Sequence, residues 1–335
     1  MITKMIVTIV VMGIVMAMGI MLSACVVLCS FDKSLNTTNP SHPQLTSLTL
    51  PCTDVGNKAA VFPLQLLGFD VDFINSVHFS NHTGYEHGVK GDVLNGNQLR
   101  DVLDSLRENK LLGDIGHVLT GYIGSTSFLE AVLHVLEVVR EHNPKVRFVC
   151  DPVLGDHGKF YVPPELVPLY KEKVIPVADV VTPNQFEVEQ LTGIRIESID
   201  DAKKACKTLH DMGPSLVIIT SLVGSDIEGD NMVVLASRRV VGTDEDEIWR
   251  IDTPVLPGDF TGTGDLCAAL FLGHTALDND LAVALEKVIG TMHAVIKRTH
   301  EHSDGTVAGK ELKLIASKRE IENPPTPQNK ARKVQ

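Results

Sequence analysis

A glycine-rich turn that leads into an apolar helix is the segment of this chain best suited to chemistry. It reads Gly262-Thr263-Gly264-Asp265 and runs directly into Leu266–Leu272. The two glycines allow the backbone to approach a ligand closely, and the start of the helix presents backbone N–H groups to an anion. Asp265 lies where a carboxylate can deprotonate a substrate hydroxyl. The segment therefore predicts a phosphate cradle beside a base, and a plain helix cap is the structural alternative.

The spacing of these glycines excludes one familiar class of kinase. A P-loop has the pattern G-x-x-x-x-G-K-[ST], which occurs nowhere in the chain. Phosphoryl transfer to an alcohol remains the chemistry that the segment favours, because it combines an anion site with a base.

Length and charge narrow the class of protein further. The chain has 335 residues, and residues 55–322 contain no repeat and no long linker, so we predict one domain there. The formal net charge of -12 argues against a nucleic acid as partner, because surfaces that bind a phosphate backbone are basic. The six cysteines form no C-x-x-C pair. We expect Cys150, Cys206 and Cys267 to be buried thiols.

The N-terminal segment differs from the rest of the chain. Residues 5–31 carry no charge, and about 20 apolar residues suffice to cross a bilayer. Residues 1–31 are therefore interpreted as a signal anchor, a signal peptide cleaved after Leu22–Cys25, or a gene-model artefact. Residues 32–54, rich in Ser, Thr, Asn and Pro, are predicted to form a linker, and residues 323–335 a polar tail.

Beyond the linker, short apolar runs alternate with helical patterns. Strands are predicted at 71–75, 117–121, 146–150, 180–182, 216–220 and 232–236. Helices are predicted at 56–67, 98–108, 127–141, 201–212, 263–276 and 281–299. This alternation predicts an α/β fold with a mostly parallel central sheet between two helical layers, whose ligands lie beyond the carboxyl ends of the strands.

Polar motifs follow several of the predicted strands. They occur at Asn75–Tyr85, Leu119–Tyr122, Cys150–Asp156, Thr182–Glu187 and Ile219–Ser221. In this order, together with the glycine-rich turn, they resemble the pyridoxal kinases of the ribokinase-like superfamily over roughly residues 55–322. The resemblance implies a ribokinase-like three-layer α/β/α sandwich. It also implies a cytosolic homodimer that uses ATP to phosphorylate the 5'-hydroxyl of pyridoxal, pyridoxine or pyridoxamine.

The resemblance assigns roles to individual residues. Asp265 is expected to take the hydroxyl proton, while Gly262, Thr263 and Gly264 stabilise the transferred group. The residues expected around the pyridine ring, besides Asp265, are Thr83, Phe79, His82 and Tyr122. A flat heteroaromatic ring suits such a mixture of aromatic and polar side chains.

A second group of residues is expected at the nucleotide and its metal. The ATP-binding residues implied by the resemblance are Asp151, Asn184, Thr220, Ser221 and Thr263. Those implied for Mg²⁺ are Asp151, Asp156, Thr182 and Glu187, and carboxylate oxygens suit this cation. A monovalent cation such as K⁺ is a further cofactor that the family suggests. The structural alternatives are an Asp-rich turn at 151–156 and a helix-terminal charge at Glu187.

The chain departs from the family pattern at the start of the domain. The family opens with an apolar strand and a segment close to S-x-Q-S-H-V-x-x-G-Y-V-G-N, whose second serine contacts the ring. Here Val55–Ala60 matches the end of that segment, but Ser47–Asp54 replaces the rest without a serine in register. Pro51 is unsuited to a central strand, and Leu45–Leu50 alternates as a partial substitute.

This departure leaves several functions open. They are an inactive or weakly active variant that lacks the first strand, a kinase for another small alcohol such as hydroxymethylpyrimidine, and a membrane-anchored form of the same enzyme. The sequon Asn81-His82-Thr83 lies among the expected substrate residues. A secreted protein would carry a sugar chain there, which argues for an intracellular kinase domain.

Overall fold

The computed structural model describes residues 25–31, 56–243 and 245–334. Its strands, in chain order, are β1 Cys25–Phe31, β2 Phe69–Asn75, β3 Val77–Phe79, β4 Gly91–Val93, β5 His117–Thr120, β6 Arg147–Cys150, β7 Gly155–Asp156, β8 Lys159–Phe160, β9 Val180–Val181, β10 Leu216–Leu222, β11 Asn231–Arg238, β12 Glu247–Pro254 and β13 Arg332–Lys333. The α-helices are α1 Asn57–Leu66, α2 Gly96–Glu108, α3 Thr126–His142, α4 Leu166–Leu169, α5 Gln185–Thr192, α6 Ile199–Met212, α7 Thr263–Leu277, α8 Leu281–His302 and α9 Lys318–Glu322.

One large sheet forms the middle layer of the fold. Its strand order is β13-β12-β11-β10-β9-β6-β5-β1-β2, while β3–β4 and β7–β8 form separate hairpins. The central neighbours β5, β6, β9 and β10 are parallel. Six of the nine strands in the described part of this sheet, namely β2, β5, β6, β9, β10 and β12, run in one direction.

Helices cover both faces of this sheet. The core on one face includes α2, α3, α5 and α6, and the core on the other includes α1, α7, α8 and α9. The predicted three-layer α/β/α fold with a mostly parallel central sheet is therefore confirmed. All six strands and six helices predicted from periodicity are present, with ends displaced by a few residues at most. Cys150, Cys206 and Cys267 are buried free thiols, as predicted.

The C-terminal residues correct one prediction. Residues 323–335 were expected to be a polar tail, yet β13 pairs with β12 at the edge of the sheet. Nη2 of Arg332 lies 3.1 Å from Oδ2 of Asp252, and Nζ of Lys330 lies 2.7 Å from Oε2 of Glu286. The cations that look like a solvated tail thus pair with carboxylates distant in sequence, which composition alone does not reveal.

A second correction concerns the N-terminal apolar segment. We interpreted residues 1–31 as lying outside a domain that begins at residue 55, but β1 is a strand of the sheet between β2 and β5. Val26 and Leu28 pack into one core, while Val27 and Cys29 pack into the other. A strand buried on both faces needs an uninterrupted apolar run, which has the same composition as a membrane span. The substitute strand expected at Leu45–Leu50 lies outside the described residues.

The direction of β1 differs from that of its neighbours. It is antiparallel to both β2 and β5, with Val26 opposite Thr120 and Phe31 opposite Phe69. Its carboxyl end therefore points away from the edge at which the parallel strands end. In the described residues, the chain next reaches that edge at the start of α1. None of the described helices is long and apolar enough to cross a membrane, and residues 1–24 lie outside the described part.

Placing a charge in β1 tests its position in the sheet. Val27→Asp should lower the free energy of unfolding by about 3 kcal/mol or more, because it buries a carboxylate in place of an apolar side chain that is 0% exposed. The matched control is Val241→Asp, at a side chain that is 96% exposed. Urea unfolding of the full chain measures both. Equal stability of the two variants would show that β1 is not part of the folded core.

Candidate active site

Three loops meet at the edge where the parallel strands end. Their backbones continue the sheet hydrogen bonds beyond the strands: the N–H of Asp151 donates to the carbonyl of Thr120 at 2.8 Å, and the N–H of Thr182 donates to Cys150 at 3.1 Å. The N–H of Thr220 donates to the carbonyl of Pro183 at 3.0 Å. The predicted convergence of these separate motifs on one edge is thus present in the structure.

The glycine-rich turn stands at the N-terminus of α7. Gly262 is the N-cap residue and has a φ of 92°, a left-handed conformation that favours glycine. Asp265 follows in the first turn and is buried. Its Oδ2 accepts a hydrogen bond of 2.8 Å from the N–H of Gly56, a residue 209 positions away that caps α1. The N-termini of two helices therefore meet at one carboxylate.

The environment of Asp265 brings its pKa close to neutrality. Burial raises this pKa from 3.8 to about 7, although the N–H groups of Gly56 and of Asp265 itself lower it in part. A carboxylate with a pKa near the working pH is both available as a base and strong enough to remove a proton. Sequence analysis missed Gly56 as a site residue, although it lies in the Val55–Ala60 segment that matches the family.

Asp151 and Glu187 form a buried acidic pair next to Asp265. Burial raises the pKa of both carboxyls well above the usual range, and the charge of Asp151 raises the pKa of Glu187 further. The charge of Asp265 raises that of Asp151 further, while the hydroxyl of Thr182 lowers it in part. A bound cation would relieve this repulsion, because an opposite charge favours the ionised form of each carboxyl.

Glu187 is oriented by its position at the start of α5. Its Oε2 accepts from the N–H of Asn184 at 2.8 Å and its Oε1 from the N–H of Leu154 at 3.0 Å. The side chain of Asn184 caps the helix in return, accepting from the N–H of Glu187 at 2.9 Å. The helix-terminal role considered as an alternative is therefore present. Each oxygen of Glu187 keeps capacity for a further contact, since a carboxylate accepts about four hydrogen bonds.

Asp156 lies apart from this buried pair. It ends β7, directly before the turn of the β7–β8 hairpin, where its Oδ1 accepts from the N–H of His157 at 2.8 Å and its Oδ2 lies 3.6 Å from Nε2 of that residue. Its side chain is 21% exposed. Its charge raises the pKa of Glu187, as the smallest of the causes. In the described residues, no three or more His, Cys, Asp or Glu side chains group as a complete metal site.

Thr220 and Ser221 lie at an irregularity near the end of β10. The pairing of β10 with β11 shifts between Ile219 and Leu222, so that these two residues interrupt the regular ladder. Bulges of this kind redirect side chains next to functional sites. Oγ1 of Thr220 lies 3.4 Å from the carbonyl of Pro183, the residue before Asn184.

Two of the expected ring-binding residues, His82 and Thr83, lie in the loop 80–90 between β3 and β4, which we call the substrate loop. The N–H of Ser80 donates to the carbonyl of Lys90 at 2.8 Å, and Nδ2 of Asn81 donates to Gly88 at 3.0 Å, so the loop is closed on itself. His82 is buried, and the N–H of Gly84 donates to its Nδ1 at 3.1 Å. Oγ1 of Thr83 is buried and has no hydrogen-bond partner among the residues that the structure describes.

Two aromatic residues complete the predicted set. Phe79 ends β3 directly before the substrate loop, and Tyr122 follows β5 two residues after its end. Tyr122 is buried, and burial raises the pKa of its hydroxyl. It belongs to the core on the face covered by α2 and α3. Its packing role and a ligand role are thus compatible, because a buried phenol keeps one polar end.

Comparison with known families connects this geometry to established enzymes. A family model described as phosphomethylpyrimidine kinase matches residues 85–309. The pyridoxal kinase of Arabidopsis thaliana is 49% identical over 276 residues, which cover 81% of this chain and 87% of that protein. The pyridoxal kinase of Homo sapiens is 44% identical over 288 residues, which cover 81% of this chain and 91% of that protein.

Solved structures agree with these relatives. The pyridoxal kinase from Leishmania donovani in complex with ADP and pyridoxine matches with a TM-score of 0.79 at 32% identity, covering 86% of this chain and 97% of that one. A putative phosphomethylpyrimidine kinase from Bacteroides thetaiotaomicron matches with a TM-score of 0.75 at 25% identity, covering 84% and 94%.

The raised pKa of Asp265 predicts a pH-dependent gain in stability when its charge is removed. Folding raises the pKa of this carboxyl from 3.8 to about 7. Its contribution to stability is therefore fully present at pH values below 3.8, and it is lost as the pH rises to about 7. Asp265→Asn, which keeps an oxygen for the N–H of Gly56, should therefore be more stable than the parent by about 1–3 kcal/mol at pH 8 and by less at pH 5.

Urea unfolding at the two pH values measures this effect. Asp114→Asn, at an exposed carboxylate, is the matched control and should change little at either pH. A stability difference for Asp265→Asn that does not grow with pH would contradict the assigned pKa.

Proposed function

The chain belongs to the pyridoxal kinase family, and we propose that it transfers the γ-phosphate of ATP to the 5'-hydroxyl of pyridoxal, pyridoxine or pyridoxamine. The product would be the vitamin B6 5'-phosphate, as in vitamer salvage. The observation that carries this proposal is the buried Asp265 at the junction of α1 and α7, beside the acidic pair and the three strand ends. The ADP and pyridoxine of the Leishmania donovani structure are the matching ligands.

Asp265 is proposed as the general base. Its carboxylate takes the proton of the 5'-hydroxyl while that oxygen attacks the γ-phosphorus. The new P–O bond forms as the bond to the bridging oxygen of ADP breaks, and the proton passes from Asp265 to solvent after the products leave. The pKa of about 7 supports this role, because much of the carboxyl is ionised at neutral pH.

The glycine-rich turn is proposed to stabilise the transferred group. Gly262, Thr263 and Gly264 precede or open α7, so the backbone N–H groups that an α-helix leaves unpaired at its N-terminus belong to this turn. N–H groups held in place before the reaction stabilise the charge that develops on the phosphoryl oxygens without reorganisation. The positive end of the α7 dipole acts in the same sense.

We propose that Asp151, Thr182 and Glu187 hold Mg²⁺ together with the phosphates of ATP, and that Asp156 adds only its negative charge. The donor set fits this hard cation: it consists of oxygens, and two of the side chains are buried carboxylates whose pKa values are raised by burial and by a neighbouring negative charge. When bound, Mg²⁺ supplies charge neutralisation at the phosphates. The resemblance also suggests a monovalent cation such as K⁺ at this edge.

The remaining ligand contacts are proposed from placement. Asn184, Thr220 and Ser221 line the strand ends beside the acidic pair and are assigned to the nucleotide phosphates, together with Asp151 and Thr263. Thr83, Phe79, His82 and Tyr122 are assigned to the pyridine ring. The buried hydroxyl of Thr83 supports its assignment, because a polar atom without a partner inside the protein is suited to a ligand.

A second candidate activity has one observation in its favour. The family model that matches residues 85–309 is described as phosphomethylpyrimidine kinase, so hydroxymethylpyrimidine is the alternative acceptor. A comparison of kcat/KM for pyridoxal and for hydroxymethylpyrimidine decides between them. Pyridoxal should be preferred, since the relatives at 49% and 44% identity are pyridoxal kinases.

Another alternative is an inactive or weakly active variant that lacks the first strand, but β1 provides a strand between β2 and β5. The ring-contacting serine of the family has no counterpart there. The fold therefore agrees with a variant that binds the vitamin weakly. It does not agree with a variant that has lost the central sheet.

We also propose that the kinase domain is a cytosolic homodimer. The dimer rests on the family resemblance. The cytosolic location is supported by Asn81 of the sequon, whose Nδ2 is engaged with the carbonyls of His82 and Gly88 and is thereby held inside the substrate loop. A membrane-anchored form would require residues 1–31, of which 25–31 belong to the sheet.

Asp265→Ala tests the proposed base. The variant should lose about 10²–10⁴ in kcat, because it lacks the group that removes the hydroxyl proton. Binding of ATP, measured by isothermal titration, should be retained. In the parent, kcat/KM for pyridoxal should rise as pH passes through about 7, since the base acts in its ionised form. A kcat within a few-fold of the parent would show that Asp265 is not the base.

The metal assignment has its own matched pair of variants. Asp151→Asn should raise the Mg²⁺ concentration needed for half-maximal activity by about tenfold or more, because one of two buried carboxylate ligands is lost. Asp156→Asn should change it by less than about threefold, since this side chain is partly exposed and beside His157. Equal effects of the two substitutions on Mg²⁺ dependence would refute the proposal that Asp151 is a ligand and Asp156 is not.

A further inference from the structure

Glu311 connects the C-terminal loop to the substrate loop. It lies between α8 and α9, and its residue is only 6% exposed. The hydroxyl of Tyr85 donates to its Oε1 at 2.8 Å, and Nε2 of His82 lies 3.4 Å from the same oxygen. The rings of His82 and Tyr85 are themselves 4.8 Å apart between centroids. Two neighbouring side chains of the substrate loop therefore face one buried carboxylate.

The hydrogen bonds of His82 define which nitrogen carries its proton. The N–H of Gly84 donates to Nδ1, so Nδ1 acts as an acceptor and the ring proton of the neutral imidazole is on Nε2. That N–H is on the nitrogen nearest to Glu311. Glu311 therefore lies 3.4 Å from this nitrogen in a charge contact outside hydrogen-bond geometry, while the hydroxyl of Tyr85 makes the hydrogen bond to the same oxygen.

The backbone of Glu311 is attached to the glycine-rich turn. Glu311 pairs with Thr261 in an isolated parallel bridge, and the N–H of Thr261 donates to the carbonyl of Lys310 at 3.3 Å. Thr261 directly precedes Gly262. On its other side, the loop is fixed to α8 by the N–H of Lys313, which donates to Oγ1 of Thr299 at 3.1 Å. Glu311 therefore joins the substrate loop, through its side chain, to the glycine-rich turn, through its backbone.

We propose that Glu311 is a positioning residue for the vitamin: it holds His82 and Tyr85 so that the substrate loop presents its ring-binding side to the 5'-hydroxyl site at Asp265. The proposal rests on the proposed function and adds a determinant of vitamin affinity outside the matched region 85–309. Glu311 acts through His82 and Tyr85 and does not itself contact the reacting atoms. Removal of its carboxylate should therefore affect the vitamin and spare the nucleotide.

Glu311→Ala and Glu311→Gln in the full chain separate positioning from general structure. Glu311→Ala should raise KM for pyridoxal about tenfold and leave KM for ATP within about twofold. Glu311→Gln keeps an oxygen for the hydroxyl of Tyr85 and should raise KM for pyridoxal only about threefold. The matched control is Glu320→Gln, at a carboxylate of α9 that pairs with Arg298 away from both loops; it should leave both KM values unchanged.

A double-mutant cycle tests the connection through Tyr85. Tyr85→Phe alone should raise KM for pyridoxal, and combined with Glu311→Ala it should add little to the effect of Glu311→Ala, because both remove the same contact. Additive effects would overturn the proposal. So would an unchanged KM for pyridoxal in Glu311→Ala, or an equal rise in both KM values, provided that thermal unfolding shows the variant to be folded.

Equilibrium binding of pyridoxal, measured by isothermal titration on the same proteins, distinguishes this inference from the proposed function. A parent that binds pyridoxal but does not phosphorylate it would refute the proposed function, and the Glu311 variants would still test positioning through their dissociation constants. If Glu311→Ala does not fold, Glu311→Gln and Tyr85→Phe provide the same comparison. A parent that does not bind pyridoxal at all overturns both.

Discussion

The gap between β2 and β5 is the constraint on which the rest of the structure depends. Both faces of the sheet are covered by helices at this position, so an empty gap would leave two rows of backbone N–H and C=O groups buried without partners. Such groups cost roughly 1–3 kcal/mol each when they lose their hydrogen bonds. The chain fills the gap with Cys25–Phe31, in which the apolar side chains of residues 26–29 pack alternately into the two cores. The reversed direction of this strand satisfies the hydrogen bonds equally well, because antiparallel pairing uses the same donors and acceptors.

The direction of β1 also decides what the site contains. A parallel strand would bring its own last residues to the edge where ligands bind, whereas here that edge receives the start of α1 instead. Gly56 meets Asp265 there, and its N–H donates to the carboxylate that we propose as the general base. The site is therefore supported by a contact between two helix N-termini, and the sequence before Val55 has no serine in the register that the family resemblance implies.

Three carboxylates close to one another at this edge oppose the stability of the fold. Burial raises the pKa of Asp151, Glu187 and Asp265; the charge of Asp265 adds to the shift for Asp151, and that of Asp151 adds to the shift for Glu187. The proposed ligands would relieve this cost, because a cation would neutralise the carboxylates and the hydroxyl proton would neutralise Asp265. Well-packed cores on both faces of the sheet support such a site, since proteins tolerate local strain when the surrounding structure over-determines it.

The sequence by itself determined the central α/β pattern, the identity of the motifs and their common position at the ends of the strands. Periodicity suffices for these features because each depends on residues that are close in the chain. Only the tertiary structure decided the conformation of the two ends: residues 25–31 form a strand, and the cations at 330–333 pair with distant carboxylates. It also decided the partners in the site. Gly56 contacts Asp265 across 209 positions, and Glu311 contacts Tyr85 across 226 positions. An uncharged segment has the same composition in a membrane and in a sheet covered on both faces. The partner of a polar residue can be identified only when the fold has brought the two residues together.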